Sequence, residues 1–250
     1  NRTVRFLKTS DNDFLVGTNL GIDVLDISTK NKIKTKNYRP NRRLTDTESE
    51  WSIQCLFEDS KKNIWAGTWG GGLIYFDKTT GEFTHYYPET NYSSINDYVI
   101  SAIEQINDSI IWACSYTGKI YPFNVLRKHF INDPNSKFQL NLPEKKITTV
   151  YDIKKDRNGN IWLATSKGLK LYDIEKRRYL LDGIPVNKNE PDKIKDQASC
   201  IYEDSNGSIW VGYLSEGIDI YHPNSPSFNK WHYNIKSSDR YRDYLTDFLQ

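Results

Sequence analysis

The sequence predicts an all-β chain folded as a β-propeller of four-stranded antiparallel blades, five complete repeats long with the first strand of a sixth. One observation is a recurring motif: Asn63-Ile64-Trp65-Ala66-Gly67-Thr68, Asn160-Ile161-Trp162-Leu163-Ala164-Thr165 and Ser208-Ile209-Trp210-Val211-Gly212-Tyr213 are copies of one another. Weaker copies lie at Asp13-Phe14-Leu15-Val16-Gly17-Thr18 and Ile110-Ile111-Trp112-Ala113-Cys114-Ser115, so the anchors Leu15, Trp65, Trp112, Trp162 and Trp210 are 50, 47, 50 and 48 residues apart. A second is punctuation by a glycine six or seven residues past each anchor. The third is composition, with 7 Trp, 17 Tyr and no Met. Four short strands recurring every ~40–50 residues is the sequence pattern of a propeller.

Each repeat reads as four elements. The first strand is apolar and β-branched, as in Ile53-Gln54-Cys55-Leu56-Phe57 or Thr148-Thr149-Val150-Tyr151-Asp152-Ile153. A tight turn follows, Asp156-Arg157-Asn158-Gly159 or Asp204-Ser205-Asn206-Gly207, in which Asn-Gly supplies positive φ. The Ile-Trp strand then ends at a small residue: Gly17, Gly67, Cys114, Ala164 or Gly212. A further glycine (Gly21, Gly72, Gly118, Gly168, Gly217) turns the chain into a third strand that alternates as a half-buried strand does, for example Leu169-Lys170-Leu171-Tyr172-Asp173. The fourth strand is marked by Phe83, Phe130, Tyr179 or Phe228. These repeats place blades at approximately 1–46, 47–95, 96–144, 145–194 and 195–243, with the start of another at 244–250. Asp243–Leu249 aligns with Asp97–Ile103, which would put a sixth anchor at about position 258, so the chain is expected to be an excerpt of a longer protein.

Bulk properties exclude several classes. The net charge of +2 argues against a nucleic-acid-coating protein. No apolar run approaches the ~18–20 residues of a membrane-spanning helix. Three cysteines build no disulfide framework. Cys55 and Cys200 share one first-strand position, Cys114 takes the place of Gly67 and Gly212, and all three are expected to be small buried core residues.

The turn-and-strand segments Glu203-Asp204-Ser205-Asn206-Gly207-Ser208-Ile209-Trp210-Val211-Gly212 and Asp156–Leu169, with Asp59–Leu73 of the second blade, resemble the two-component regulator propeller repeat. The segment Tyr92–Val99 is similar to the linkers of that family, and copies one and three are degenerate: copy one lacks the Trp, and copy three has Asn107-Asp108-Ser109 at the turn. The resemblance covers essentially the whole chain. It implies the periplasmic portion of an inner-membrane hybrid histidine kinase, one that detects glycan fragments and signals across the membrane to control transcription. It also implies a homodimer in the full-length sensor, with the membrane reached only through flanking segments.

Candidate site residues are those that the repeat does not explain. The anchors, with Gly159, Gly168 and Gly207, read as scaffold. Trp51, Trp69 and Trp231 fall off the pattern, and Tyr116 stands in blade three where Trp69 stands in blade two, each four residues past its anchor. Neighbouring blades bring such loops together, so Trp69 and Tyr116 either fill the groove between the blades or form a stacking platform for an oligosaccharide, neutral or acidic; with Trp51 and Trp231 they are the candidate ligand contacts. Lys30, Lys32, Lys34 and Lys36 alternate along one strand, with Arg39, Arg42 and Arg43 following. That stripe suits a guarded sheet edge better than an acidic polysaccharide or nucleic acid, because Asp46, Glu48 and Glu50 lie beside it. His85, His129, His222 and His232 lack metal-ligand spacing, and Gly67-Thr68-Trp69-Gly70-Gly71-Gly72 lacks the Lys-Ser/Thr of a phosphate loop, so no metal or cofactor is expected. No pair of carboxylates stands out as a glycosidase would need. The expected activity is therefore sensing rather than catalysis, with an interaction scaffold, a lyase or a glycosidase as the alternatives.

Overall fold

The computed structural model describes residues 3–26, 33–39, 51–88, 98–133, 135–140, 148–182, 185–187, 190–194, 197–215, 217–222 and 225–231. All regular structure there is β apart from single helical-turn residues, and no described helix is long and apolar enough to cross a membrane. Two compact units divide the chain, residues 1–147 and 148–249. The first holds three four-stranded antiparallel blades: β1–β4 (Thr3–Lys8, Phe14–Thr18, Gly21–Asp26, Lys34–Tyr38), β5–β8 (Ile53–Glu58, Ile64–Thr68, Leu73–Phe76, Phe83–Tyr86) and β9–β12 (Ile100–Asn107, Ile110–Ser115, Ile120–Asn124, His129–Phe130). The second unit holds β13–β16 (Val150–Lys155, Ile161–Thr165, Gly168–Asp173, Arg178–Asp182) and β19–β22 (Ala198–Glu203, Ile209–Tyr213, Ile218–His222, Ser225–Trp231). A separate hairpin, β17–β18 (Pro185–Asn187, Glu190–Ile194), lies between its two blades. The sequence reading did not anticipate that hairpin, because neither strand carries the repeat. The predicted start of a sixth blade at 244–250 lies outside the described residues.

The anchors do what their spacing implies. Leu15 shares a core with Ile53, Leu56 and Ala66 of the next blade, Trp65 with Ile100, Ile103 and Phe123, and Trp162 with Ala198, Ile201 and Val211. Each of these anchors is thus covered by strands of the following blade, and Trp65 meets Phe123 of β11 edge-on at 5.3 Å. Trp112 is also fully buried, whereas Trp210 is half-buried.

An aspartate six residues before the anchor holds three of these indoles. Asp59 Oδ2 accepts from Trp65 Nε1, as Asp156 Oδ2 does from Trp162, both at 2.9 Å, and Asp204 Oδ2 accepts from Trp210 at 3.0 Å. The other oxygen closes the turn: Asp156 Oδ1 accepts the N–H groups of Asn158 and Asn160, each at 2.9 Å. Only the last turn residue has positive φ, 84° at Gly159 and 82° at Gly207, so the turn is a longer one ending in a left-handed residue rather than an Asn-Gly pair with both residues left-handed. Lys62 and Asn12 take that conformation in blades two and one, each at 64°. The five glycines that open the third strands all have positive φ as well.

Hydrogen bonds to Trp210 and to the Ser208 N–H hold the Asp204 carboxyl below its ordinary value of 3.8. A carboxylate depressed in this way stabilises the fold above its unfolded pKa, and the contribution fades as pH falls through the depressed folded value. Asp204→Asn is therefore expected to lower the thermal midpoint at pH 6, with the gap to the parent protein narrowing below about pH 4. A gap constant across that range would contradict the assignment; melting curves at a series of pH values decide it.

A second device spans neighbouring blades. The residue after Asp59 and after Asp156, and after Thr9 in blade one, donates its N–H to a side chain on the next first strand: Ser10 to Glu58 at 2.6 Å, Ser60 to Gln105 at 2.8 Å and Arg157 to Glu203 at 3.3 Å. Arg157 Nε adds a 2.8 Å ion pair to Glu203.

Cysteines and lysines follow the register. Cys55 faces Gly67 and Cys200 faces Gly212, while Cys114 faces Ala102, so a sulfur is always opposed by a small residue. All three are free thiols; Cys200 is half-buried rather than buried as expected. Lys34 and Lys36 are exposed on β4, the outermost strand of its sheet, and Lys36 Nζ lies 4.6 Å from the Tyr38 ring. Arg39 pairs with Asp23. Lys30, Lys32, Arg42 and Arg43 lie outside the described residues, as does His232.

Candidate ligand-binding rim of blades two and three

The residue four past each tryptophan anchor is fixed by one repeating backbone bond. The N–H groups of Trp69, Tyr116, Ser166 and Leu214 donate to the carbonyls of Ser52, Val99, Thr149 and Gln197, all just before a first strand, at 2.9 to 3.1 Å. The scaffold thus presents this position in the same way in blades two to five, and only the side chain varies. Blades two and three place aromatic rings there, with centroids 5.4 Å apart and planes inclined at 57°. The predicted juxtaposition of Trp69 and Tyr116 is present. Trp69 is 40% exposed and Tyr116 half-buried, so the indole keeps a solvent-facing surface with a phenol beside it.

More rings gather at the same end of these blades. Tyr87, just past β8, is 46% exposed and meets Tyr98 edge-on at 5.5 Å. His85 stacks against Tyr87 at 5.9 Å, and the Trp51 ring stands edge-on to His85 at 4.5 Å. His85 Nδ1 lies 2.9 Å from the Gly71 carbonyl oxygen; a carbonyl can only accept, so this nitrogen carries the proton and ties β8 to the triglycine loop. Trp51, singled out from sequence as a possible contact, is only 6% exposed and supports this assembly from beneath. Trp231 falls at the end of β22, and its side chain is outside the described residues.

Loop 69–72 needs its glycines. Gly72 has φ of 71°, and a Cβ there would sit 2.7 Å from the Tyr86 carbonyl oxygen and 3.2 Å from Tyr87 Cδ1. The Thr68 hydroxyl donates to the Gly72 carbonyl at 3.0 Å, and the Gly72 N–H donates to the Tyr98 carbonyl at 3.1 Å. Sequence reasoning found Trp69 and Tyr116 because they share a repeat position. It missed Tyr87, Tyr98 and His85, which lie on the least regular fourth strand and on the entry to β9. The one signal available was aromatic density in His85-Tyr86-Tyr87.

Elsewhere the chemistry is structural. Lys128 Nζ lies 4.7 Å from the Trp65 ring and 4.3 Å from Tyr75, and burial pushes its pKa down while Asp59 partly offsets that. His222 shares a 2.9 Å hydrogen bond with Ser208, and His129 is exposed. Among the described residues no three His, Cys, Asp or Glu side chains converge as metal ligands would.

Comparison with known proteins bears on the repeat. The family model described as Two component regulator propeller matches residues 49–70, 145–167 and 194–214, in the blades with intact turns and tryptophans. No curated protein matches the chain. Among solved structures, the extracellular domain of a putative hybrid two-component system from B. thetaiotaomicron is similar over 93% of this chain and 31% of its own, at 17% identity and a TM-score of 0.71. Another such extracellular domain from that organism is similar over 94% of this chain and 35% of its own, at 16% identity and a TM-score of 0.55. Virginiamycin B lyase from Staphylococcus aureus is similar over 92% of this chain and 69% of its own, at 13% identity and a TM-score of 0.65. The chain thus spans about a third of the two-component structures it matches, and at these identities the likeness is one of fold.

Proposed function

We propose that this chain, which carries Two component regulator propeller repeats in its second, fourth and fifth blades, is part of the extracytoplasmic ligand-sensing propeller of a membrane-anchored hybrid sensor kinase. The ligand is an oligosaccharide held on the rim of blades two and three. The observation that carries this reading is the exposed Trp69 ring set against Tyr116 by backbone bonds that leave the side chains free to vary. A pyranose presents a flat C–H face that suits an aromatic π surface, and rings held by a rigid sheet lose little conformational freedom on binding. Binding acts by favouring one of two arrangements of the full-length homodimer, a bias whose size equals the difference in affinity for the two. The chain itself contributes recognition and no catalytic step.

Calorimetric titration of the chain with neutral and uronate-containing oligosaccharides tests the reading, with Trp69→Ala and Tyr116→Ala as controls. Saturable binding that falls at least about tenfold in both variants is the expected result. Absence of heat with every sugar, or binding unchanged in both variants, would remove the rim as the site.

A further inference from the structure

We propose that Tyr87 and Tyr98 form a second sugar-stacking subsite beside the Trp69–Tyr116 pair, so that the rim takes an oligosaccharide of two or more units rather than a single sugar. The inference rests on the sugar-binding reading above and deepens it.

The two pairs belong to one assembly built around the entry to β9. The Tyr98 carbonyl accepts from Gly72, at the end of the loop that begins with Trp69, and the adjacent Val99 carbonyl accepts from Tyr116. Tyr87 in turn meets Tyr98 edge-on, and its Cδ1 lies 3.2 Å from the place a Gly72 Cβ would occupy. The missing side chain at Gly72 is what lets the Tyr87 ring lie against this loop. Trp69 and Gly72 are three residues apart, so their backbones are separated by at most ~11 Å, a span that one short oligosaccharide covers.

The second pair is also held firmly enough to serve as a platform. His85 stacks on Tyr87 with planes only 15° apart, and its Nδ1–H is tied to Gly71. Trp51 braces His85 from below, and the neighbouring Ser52 carbonyl accepts from Trp69. Both platforms are therefore fixed by the same few residues, which sets their separation before any ligand arrives. Tyr87 and Trp69 are each more than a third exposed, on a protein whose anchor rings in blades two to four are entirely covered. Tyrosine and tryptophan supply large rigid contact faces at low entropic cost, which is why grouped exposed rings mark binding surfaces.

The test uses gluco-, xylo-, manno- and galacto-oligosaccharides and oligogalacturonates, each from monosaccharide to pentasaccharide, titrated into the parent chain, Trp69→Ala, Tyr87→Ala and Tyr87→Phe. Affinity is expected to rise about tenfold on lengthening the ligand past one unit, and Tyr87→Ala to abolish that rise while Tyr87→Phe keeps it. Trp69→Ala is expected to weaken every length. A rise with length that survives in Tyr87→Ala would overturn the second subsite and leave the first standing, as would a series with no rise at all. Failure of every sugar to bind the parent chain would overturn the sugar-binding reading and this inference with it. Circular dichroism of each variant separates lost binding from lost fold.

Discussion

Asp59→Ala is expected to lower the stability of the chain by about 4 kcal/mol. Asp59 is 4% exposed and accepts from the Trp65 indole at 2.9 Å, from the N–H groups of Lys61 and Asn63 at 2.9 Å each, and from the Asn63 amide. Truncation leaves a buried indole N–H without an acceptor and releases the turn that sets the register of β5 on β6. Hydrogen bonds to a charged acceptor contribute ~1.5–3 kcal/mol each, and an unsatisfied buried donor costs ~1–3 kcal/mol, so the total is dominated by two or three such terms. The ring will still be held by packing, as blade three shows. There Ile106 occupies the aspartate position, and Trp112 is fully buried although its Nε1 has no acceptor among the described residues. Asp59→Asn keeps an acceptor oxygen and is expected to cost about half as much. Urea unfolding measures both; a change within about 0.5 kcal/mol for the alanine variant would show that the aspartate is not what secures the anchor.

Gly67→Ala is expected to cost about 3 kcal/mol, against the ordinary gain of ~0.5–1 kcal/mol when alanine replaces glycine in a strand. The added methyl would run into the carbonyl oxygen of Ile100 and lie 2.6 Å from Cys55 Sγ. Ile100 opens the first strand of the next blade, so the missing side chain at Gly67 is what lets blade three approach blade two. Cys55→Ala should not rescue Gly67→Ala, because the Ile100 backbone remains. Paired unfolding curves for Gly67→Ala alone and combined with Cys55→Ala test this directly. Full rescue by Cys55→Ala would contradict the packing described.

How much of this was legible in the sequence follows from what repeats. Anchors every 47 to 50 residues announced the blades, since a ring that packs on the next blade must return at the same register each time. The cysteine register was legible for the same reason. The Trp69–Tyr116 pair was legible because it occupies a repeat position whose side chain the scaffold leaves unspecified.

What stayed hidden is chemistry between residues that no period links visibly. The turn acids stood in the sequence six residues before three anchors, but nothing in the spacing says that an indole will donate to them. The cross-blade bonds to Glu58, Gln105 and Glu203 join residues almost fifty positions apart, and their partners Ser10, Ser60 and Arg157 are not of one residue type, because the donor common to all three is a backbone N–H. Trp51 read as an unexplained ring, and only its packing under His85 shows that it supports rather than faces the rim. Tyr87 and Tyr98 escaped notice because they lie where the repeat is weakest.

A sugar on the rim formed by blades two and three is to be seen in a crystal structure of the chain soaked with the tightest-binding oligosaccharide of the series. One pyranose is expected to lie flat on Trp69 beside Tyr116, with its neighbour against Tyr87. A ligand bound at any other place, with the Trp69 ring bare, would contradict that placement.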